Sequence, residues 1–352
     1  MPVPRSRRPE LVAVALAVAA AACGTAAAPA ASVAFTDHHV HVLGPDVMRD
    51  WRALGVTFSR ADSIYTSPGS LLRVRPDTSA SAVLVPMAHL YGNAEFVGGL
   101  GIDDATVRER VRRENAHVAA EAARFPGRAV ALCSVPALAA WALEEFRWCV
   151  DTLRVSGLKL HLASSMVDLR NEAHLDALAS IAGFAASRSL PILLHVDPQR
   201  RGLDAPDIER LAARMFEPHP ELAVVIAHLG GSGGYGPWTR RVFATLLEWR
   251  RTTEARDGRP RRLHFELSAV VLERESEGVP ATTPEERALL ATDLRAMRFD
   301  RVLLGSDHPV FDPVRGLEVL RDLVGLSDEV VARVARPVDA IFVDRRDAAA
   351  RR

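Results

Sequence analysis

Residues 223–231 read Ala223-Val224-Val225-Ile226-Ala227-His228-Leu229-Gly230-Gly231. The first five are apolar on both faces of an extended chain, which suits a parallel strand with helices on one side and a packed interior on the other. A histidine and two glycines end the run. Working outward, the same form recurs in Gly157-Leu158-Lys159-Leu160-His161, in Leu193-Leu194-His195 and in the apolar run that ends at Gly305-Ser306-Asp307-His308-Pro309. It also occurs near the start, in Asp37-His38-His39-Val40-His41. Strands are expected at 33–39, 82–87, 128–134, 157–161, 191–196, 223–228, 262–268 and 301–306, with amphipathic stretches between them. A helix is expected over 103–125, from Asp103-Asp104 to Pro126-Gly127, and Thr283-Pro284-Glu285-Glu286 supplies a capping box with proline at the first helical position. This alternation, with no Gly-, Ser- or Pro-rich linker, predicts one α/β domain over 33–345, closed as a (β/α)8 TIM barrel, followed by a polar tail over 346–352. Residues 42–80 show no clear strand or helix and hold Gly44, Pro45, Pro68, Gly69 and Pro76, so an elaborated loop over the active-site end is expected there.

The chain has 352 residues, 48% of them hydrophobic, enough for one large core. Its 44 basic and 44 acidic residues cancel, so it lacks the electrostatic footprint of a nucleic-acid binder, and a small molecule is the expected partner. A homo-oligomer is left open. Residues 1–32 differ from the rest: Arg5, Arg7 and Arg8 precede an apolar run from Leu11 to Ala22, then Cys23 and a small-residue stretch from Gly24 to Ser32. That order is the layout of an export signal, and it predicts a periplasmic or membrane-attached protein. Ala20-Ala21-Ala22-Cys23 is similar to a bacterial lipoprotein cleavage box but lacks the usual larger apolar residue three places before the cysteine. Membrane attachment through a lipidated Cys23 and plain cleavage in the alanine-rich stretch are therefore both open. Ser6-Arg7-Arg8 fits a twin-arginine signal poorly, and the apolar run is short for a membrane span. Cys133 and Cys149 have neither metal-type nor redox spacing, and buried free thiols are expected.

Rare polar residues fall at one recurring position, the C-terminal end of a strand, so they converge at one mouth of a barrel. Strict alternation places Asp37, His39 and His41 on one face and His38 on the other. His39 and His41, joined by His195 and Asp307 from other strand ends, offer nitrogen and oxygen ligands suited to a divalent metal, zinc first and manganese second. Such an ion lowers the pKa of bound water towards about 7. Asp307 is placed to take the proton, and His228 to steady a developing oxyanion or to support the ligands. Isolated His89, His117, His174, His219 and His264 read as hydrogen-bonded core or surface residues. Lys159 is the sole lysine of the chain and sits at a strand end facing the site. It reads as a base, a group open to carbamylation or a plain donor packed beside His161. One ion is favoured, and two remain open.

The order D-x-H-x-H, G-x-K-x-H, a strand-end histidine, A-H-L-G-G and G-S-D-x-P resembles the amidohydrolase superfamily over residues 33–343. The match is to its amidohydrolase-related branch, which includes aminocarboxymuconate-semialdehyde decarboxylase and lactone hydrolases. The resemblance implies His39, His41 and His195 as metal ligands, Asp307 as ligand and proton acceptor, His228 as the group that orients or polarises the reacting atoms, and Lys159 beside His161 as a substrate contact or, if carboxylated, a bridge between two metals. Metal-dependent hydrolysis of a lactone, ester or amide is the first expectation. Non-oxidative decarboxylation of an aromatic or unsaturated acid is the second, and a non-catalytic metal-binding lipoprotein the third. A carboxylate clamp separates the first two, and Arg52, Arg60, Arg73 and Arg75 lie in or beside the loop that would carry one.

Overall fold

The computed structural model describes residues 34–72, 80–276, 278–299, 301–336 and 341–346. The whole signal-like segment, including Cys23, lies outside the described residues, as do Arg73, Arg75 and most of the polar tail. Parallel strands run β1 (Thr36–His41), β2 (Ser81–Val85), β3 (Ala129–Ala131), β4 (Cys133–Ser134), β5 (Leu158–His161), β6 (Ile192–His195), β7 (Val224–Ile226), β8 (Leu263–Glu266) and β9 (Val302–Leu303). They pair as β1-β2-β3 and as β4 through β9. β3 and β4 are two halves of the expected 128–134 strand, parted at Leu132, whose amide still donates to Leu84 O at 2.9 Å. At the other seam β1 is laced to the chain after β9 by His38 N to Leu304 O at 2.9 Å, His41 N to His308 O at 2.7 Å and Asp307 N to His39 O at 2.9 Å. The architecture is that of a TIM barrel.

Register sets what points inward. Lys159, Leu193, Val225 and His264 face one another across successive strands, and Leu193 and Val225 belong to the barrel's inner apolar cluster. Ile341 and Phe342 join the same cluster from the C-terminal segment. Two residues further along β5 and β6, His161 stands opposite His195 at the strand ends. The helices cover the outside: Asp104–Ala123 starts where expected, with Asp103 accepting from Thr106 N at 2.8 Å. Thr283 and Glu286 make both bonds of the capping box, at 2.9 and 3.2 Å.

Three expectations need correction. A bulge interrupts β1 between Asp37 and Val40, so Asp37 pairs with Ala82 and Val40 with Leu84, both in the outer layer, while His41 pairs with inward Val85. The extra residue defeats strict alternation, and Asp37 does not share the face of His39 and His41. Residues 42–80 are not a plain loop, because helices form over Pro45–Ala53, Asp62–Thr66 and Gly69–Leu72. Pro45 sits in the first turn, where its missing N–H costs nothing, and an apolar face packs Val47 and Met48 against Tyr65 and Tyr91. Cys133 and Cys149 are joined as a disulfide, not left as free thiols. The helix Ala142–Trp148 runs back over the sheet and brings the two Cα atoms to 6.1 Å, inside bridging range.

Candidate active site

The strand ends open into a cavity of about 210 Å³. Leu43, Trp51, Val56, Phe58, Tyr65, Met87 and Leu90 form its apolar side, all but Met87 and Leu90 drawn from the helical insertion after β1. His41, His89, Lys159, His161, His195, His228 and Asp307 form its polar floor.

The floor is built from backbone features upward. Asp307 adopts φ 64°, a left-handed conformation uncommon for a side-chain-bearing residue, and this turns its carboxylate back to β1. Its Oδ1 lies 3.1 Å from His41 Nε2 and 3.6 Å from His39 Nε2. His228 and Leu229 are also left-handed, at φ 52° and 53°, so β7 ends in a sharp turn that presents the imidazole. The glycines beside these turns are sterically required. A Cβ on Gly305 would stand 2.1 Å from Glu266 Oε2, and one on Gly231 would stand 2.0 Å from Thr239 Oγ1.

Glu266, fully buried at the end of β8, holds the floor together. Its Oε1 lies 3.0 Å from His39 Nδ1 and accepts from His228 N at 2.9 Å, and Ser268 donates from its hydroxyl at 2.7 Å. Ser268 also meets His228 Nδ1 at 2.8 Å. Both imidazoles are thus fixed through Nδ1, leaving Nε2 of His228 for the cavity and Nε2 of His39 facing Asp307. Lys159, also fully buried, puts Nζ 3.1 Å from His39 Nε2.

Protonation follows burial and neighbours. Burial, then the adjacent Lys159, keep His39 well below the ordinary imidazole value. Burial and the nearby His161 and His228 do the same to His195. Burial pushes Lys159 down to about 8, against the pull of Asp307 and Glu266. For Asp307, burial acts upward, but the hydrogen bond to His41 and the neighbouring His39 outweigh it and hold the carboxyl below its usual range. Neutral imidazoles beside an ionised carboxylate are the forms in which these groups bind metal.

The structure brings His39, His41 and Asp307 together with ligand atoms within 4.8 Å of one another. His195 stands in a neighbouring group of that spacing with His161 and Asp197. The rings form a continuous arc, His39 to His228 at 5.0 Å, His228 to His195 at 4.5 Å and His195 to His161 at 4.0 Å. His195 Nε2 is buried with no hydrogen-bond partner, so the donor set fits a divalent cation that the protein atoms do not replace.

The amidohydrolase family profile matches residues 36–336. The chain belongs to the amidohydrolase family. No curated protein matches its sequence. Among solved structures, 2,6-dihydroxybenzoate decarboxylase with bound 2,6-dihydroxybenzoate is similar at a TM-score of 0.58 and 15% identity, over 86% of this chain and 97% of that one. A dihydroxybenzoic acid decarboxylase from Polaromonas sp. with bound manganese and 2-nitroresorcinol matches at 0.57 and 13%, over 86% and 94%. The 4-oxalomesaconate hydratase from Rhodopseudomonas palustris matches at 0.53 and 16%, over 90% and 98%. These likenesses carry the TIM-barrel fold. Family membership makes this a metal-dependent enzyme family, and its D-x-H-x-H and G-S-D pieces are the parts whose side chains meet at the floor.

Sequence reasoning missed Glu266 and His89. Glu266 ends a strand, so the rule that singled out His161, His195 and Asp307 would have found it, had acids been weighed as histidines were. His89, read as an isolated core histidine, is hydrogen-bonded and buried, yet it lines the cavity. It follows β2 in the turn Ala88–Gly92 rather than ending a strand, which is why the strand-end rule passed over it. The arginine clamp did not form from Arg52 and Arg60. Arg52 is exposed and paired with Asp62 at 2.5 Å, and Arg60, which does not line the cavity, donates to Pro309 O at 3.3 Å.

Proposed function

We propose that the chain is a metal-dependent decarboxylase of a small aromatic or unsaturated carboxylic acid, a reading better supported than the hydrolysis first expected. The carrying observation is the cavity itself: an aromatic and aliphatic side facing a histidine, aspartate and lysine floor within about 210 Å³. That is below the roughly 300–1,000 Å³ typical of sites for drug-sized ligands, so a one-ring acid is the scale of occupant. Loss of CO2 disperses a localised carboxylate charge, and an apolar enclosure favours that change. The decarboxylases among the structural neighbours support the same reading.

His39, His41 and Asp307, with His195 alongside, would hold the divalent ion, manganese or zinc, which when bound polarises a coordinated substrate oxygen. Among the described lining residues Lys159 is the one lysine or arginine, and its buried charge draws an anion in. In the reaction the bond from the carbon chain to the carboxyl carbon breaks, CO2 departs, and the electron pair left behind takes a proton. Asp307, ionised at rest, takes a proton from solvent water and passes it to that carbon, the hydroxide left behind going to the departing CO2 as bicarbonate, and His228, locked by Ser268, orients the substrate with Nε2. Export is part of the proposal, resting on the order of residues 1–32 and on the Cys133–Cys149 bridge, a bond that persists in oxidising compartments.

The test is release of labelled CO2 from carboxyl-labelled dihydroxybenzoates by the manganese-loaded protein. Turnover that falls by roughly 10²-fold or more in Asp307→Asn is the expected result. Turnover of lactones or esters without CO2 would replace this reading with hydrolysis, which the 3.1 Å contact of His41 with Asp307 also suits.

A further inference from the structure

His89 is 1% exposed and lines the cavity, yet it belongs to none of the three groups with metal-ligand spacing among the described residues. Its Nδ1 is 3.1 Å from Ser134 Oγ, and its own main-chain amide donates to the same hydroxyl at 3.2 Å. Ser134 is fixed in turn by Asn115, which donates to Ser134 O at 2.9 Å and accepts from Ser134 N at 2.8 Å. Ser134, Asn115 and His89 are all buried, so the imidazole is clamped on one side only. Its other nitrogen, Nε2, is buried with no partner in the protein. The ring lies 5.0 Å from that of His161, at the opposite end of the histidine arc from His41 and Asp307. A clamped ring with an unpaired nitrogen at a cavity wall is a site prepared for an outside hydrogen-bond partner.

We propose that His89 Nε2 anchors a second oxygen of the substrate, a hydroxyl or carbonyl set away from the carboxylate, and so selects oxygen-substituted acids over unsubstituted ones. The inference rests on the small-acid reading above and deepens it. Ser134 and Asn115 act as positioning residues, since they reach the substrate only through the ring. Nε2 can donate or accept according to which nitrogen carries the proton, and the hydroxyl of Ser134 accommodates either form.

The test is calorimetric binding of benzoate and of 2,6- and 3,5-dihydroxybenzoate to the full, manganese-loaded chain, with metal content and thermal midpoint recorded for each protein. The wild type is expected to hold at least one dihydroxybenzoate roughly 10- to 100-fold more tightly than benzoate. His89→Phe, which keeps a flat ring and removes both nitrogens, should abolish that ratio while leaving benzoate affinity and metal content unchanged. His89→Gln should restore part of it. If His89→Phe does not fold, the ratio in His89→Gln and in Ser134→Ala decides, since loosening the ring should also lower it. A wild type that binds benzoates without preferring hydroxylated ones overturns the role of His89 alone, as does a preference that survives in the variants. A wild type that binds no benzoate at all sinks the small-acid reading, and His89's role with it.

Discussion

Glu266 contacts the reaction site only through other side chains, yet the most precise geometry of the floor depends on it. One carboxylate fixes the His39 ring, the His228 backbone and the Ser268 hydroxyl, at 3.0, 2.9 and 2.7 Å. Its second oxygen accepts from Ser268 N at 2.6 Å, so both oxygens act only as acceptors. Glu266→Gln keeps the volume but turns one acceptor into a donor facing the Ser268 amide or the His39 ring. Loss of such a support for a ligand histidine commonly costs 10- to 100-fold in metal affinity. The expected outcome is a metal dissociation constant raised by about that factor, measured by competition with a chelator, while far-ultraviolet circular dichroism stays unchanged. Wild-type affinity in Glu266→Gln would mean that His39 is held by its packing alone. Glu266 is visible as a strand-end acid, but what it and Ser268 hold is not legible without the fold, because their partners lie up to 229 residues away in the chain.

At the scale of elements, legibility depended on whether a local pattern was enough. Apolar runs ending in histidine marked β6 and β7 because burial on both faces leaves a continuous hydrophobic signal, and the same strand-end histidine marked β5 despite Lys159. The capping box at Thr283 was legible because its two bonds lie within four residues. The bulge in β1 was not, since pairing with β2 and with the chain after β9 creates it and no local pattern announces it. The helices of the insertion after β1 were hidden because short helices draw their stability from tertiary contact rather than from propensity. The disulfide belongs with these nonlocal features: it ties β4 to the end of a helix, and only the return path of that helix sets Cys149 beside Cys133. A bridge across a separation of 16 residues is worth about 3 kcal/mol in the chain-entropy account. Cys149→Ser should therefore lower the free energy of unfolding by roughly 2–4 kcal/mol, read from urea denaturation, and reductant should no longer shift its midpoint. An unchanged wild-type midpoint under reductant would show that the thiols do not pair in solution.

Across the whole molecule, the His39, His41 and Asp307 group that could hold a metal sits on a seam. His39 and His41 come from the first strand and Asp307 from the turn after the last, and these segments meet through three main-chain hydrogen bonds. An ion held by His39, His41 and Asp307 would thus join residues about 270 positions apart, and closure of the barrel would be coupled to metal occupancy. An ion that binds the folded chain and not the unfolded one adds RT ln(1 + [L]/Kd), about 2.7 kcal/mol at a hundredfold excess over Kd. The metal-loaded protein should accordingly melt several degrees above the chelated one. Hydrogen exchange on chelation should rise first in β1 and in residues 304–308 rather than evenly around the barrel. In Asp307→Asn the melting difference should shrink or vanish, because the ligand that crosses the seam has lost its charge. Equal melting temperatures with and without metal, in a wild type shown to bind it, would mean that the seam is closed by its main-chain bonds alone.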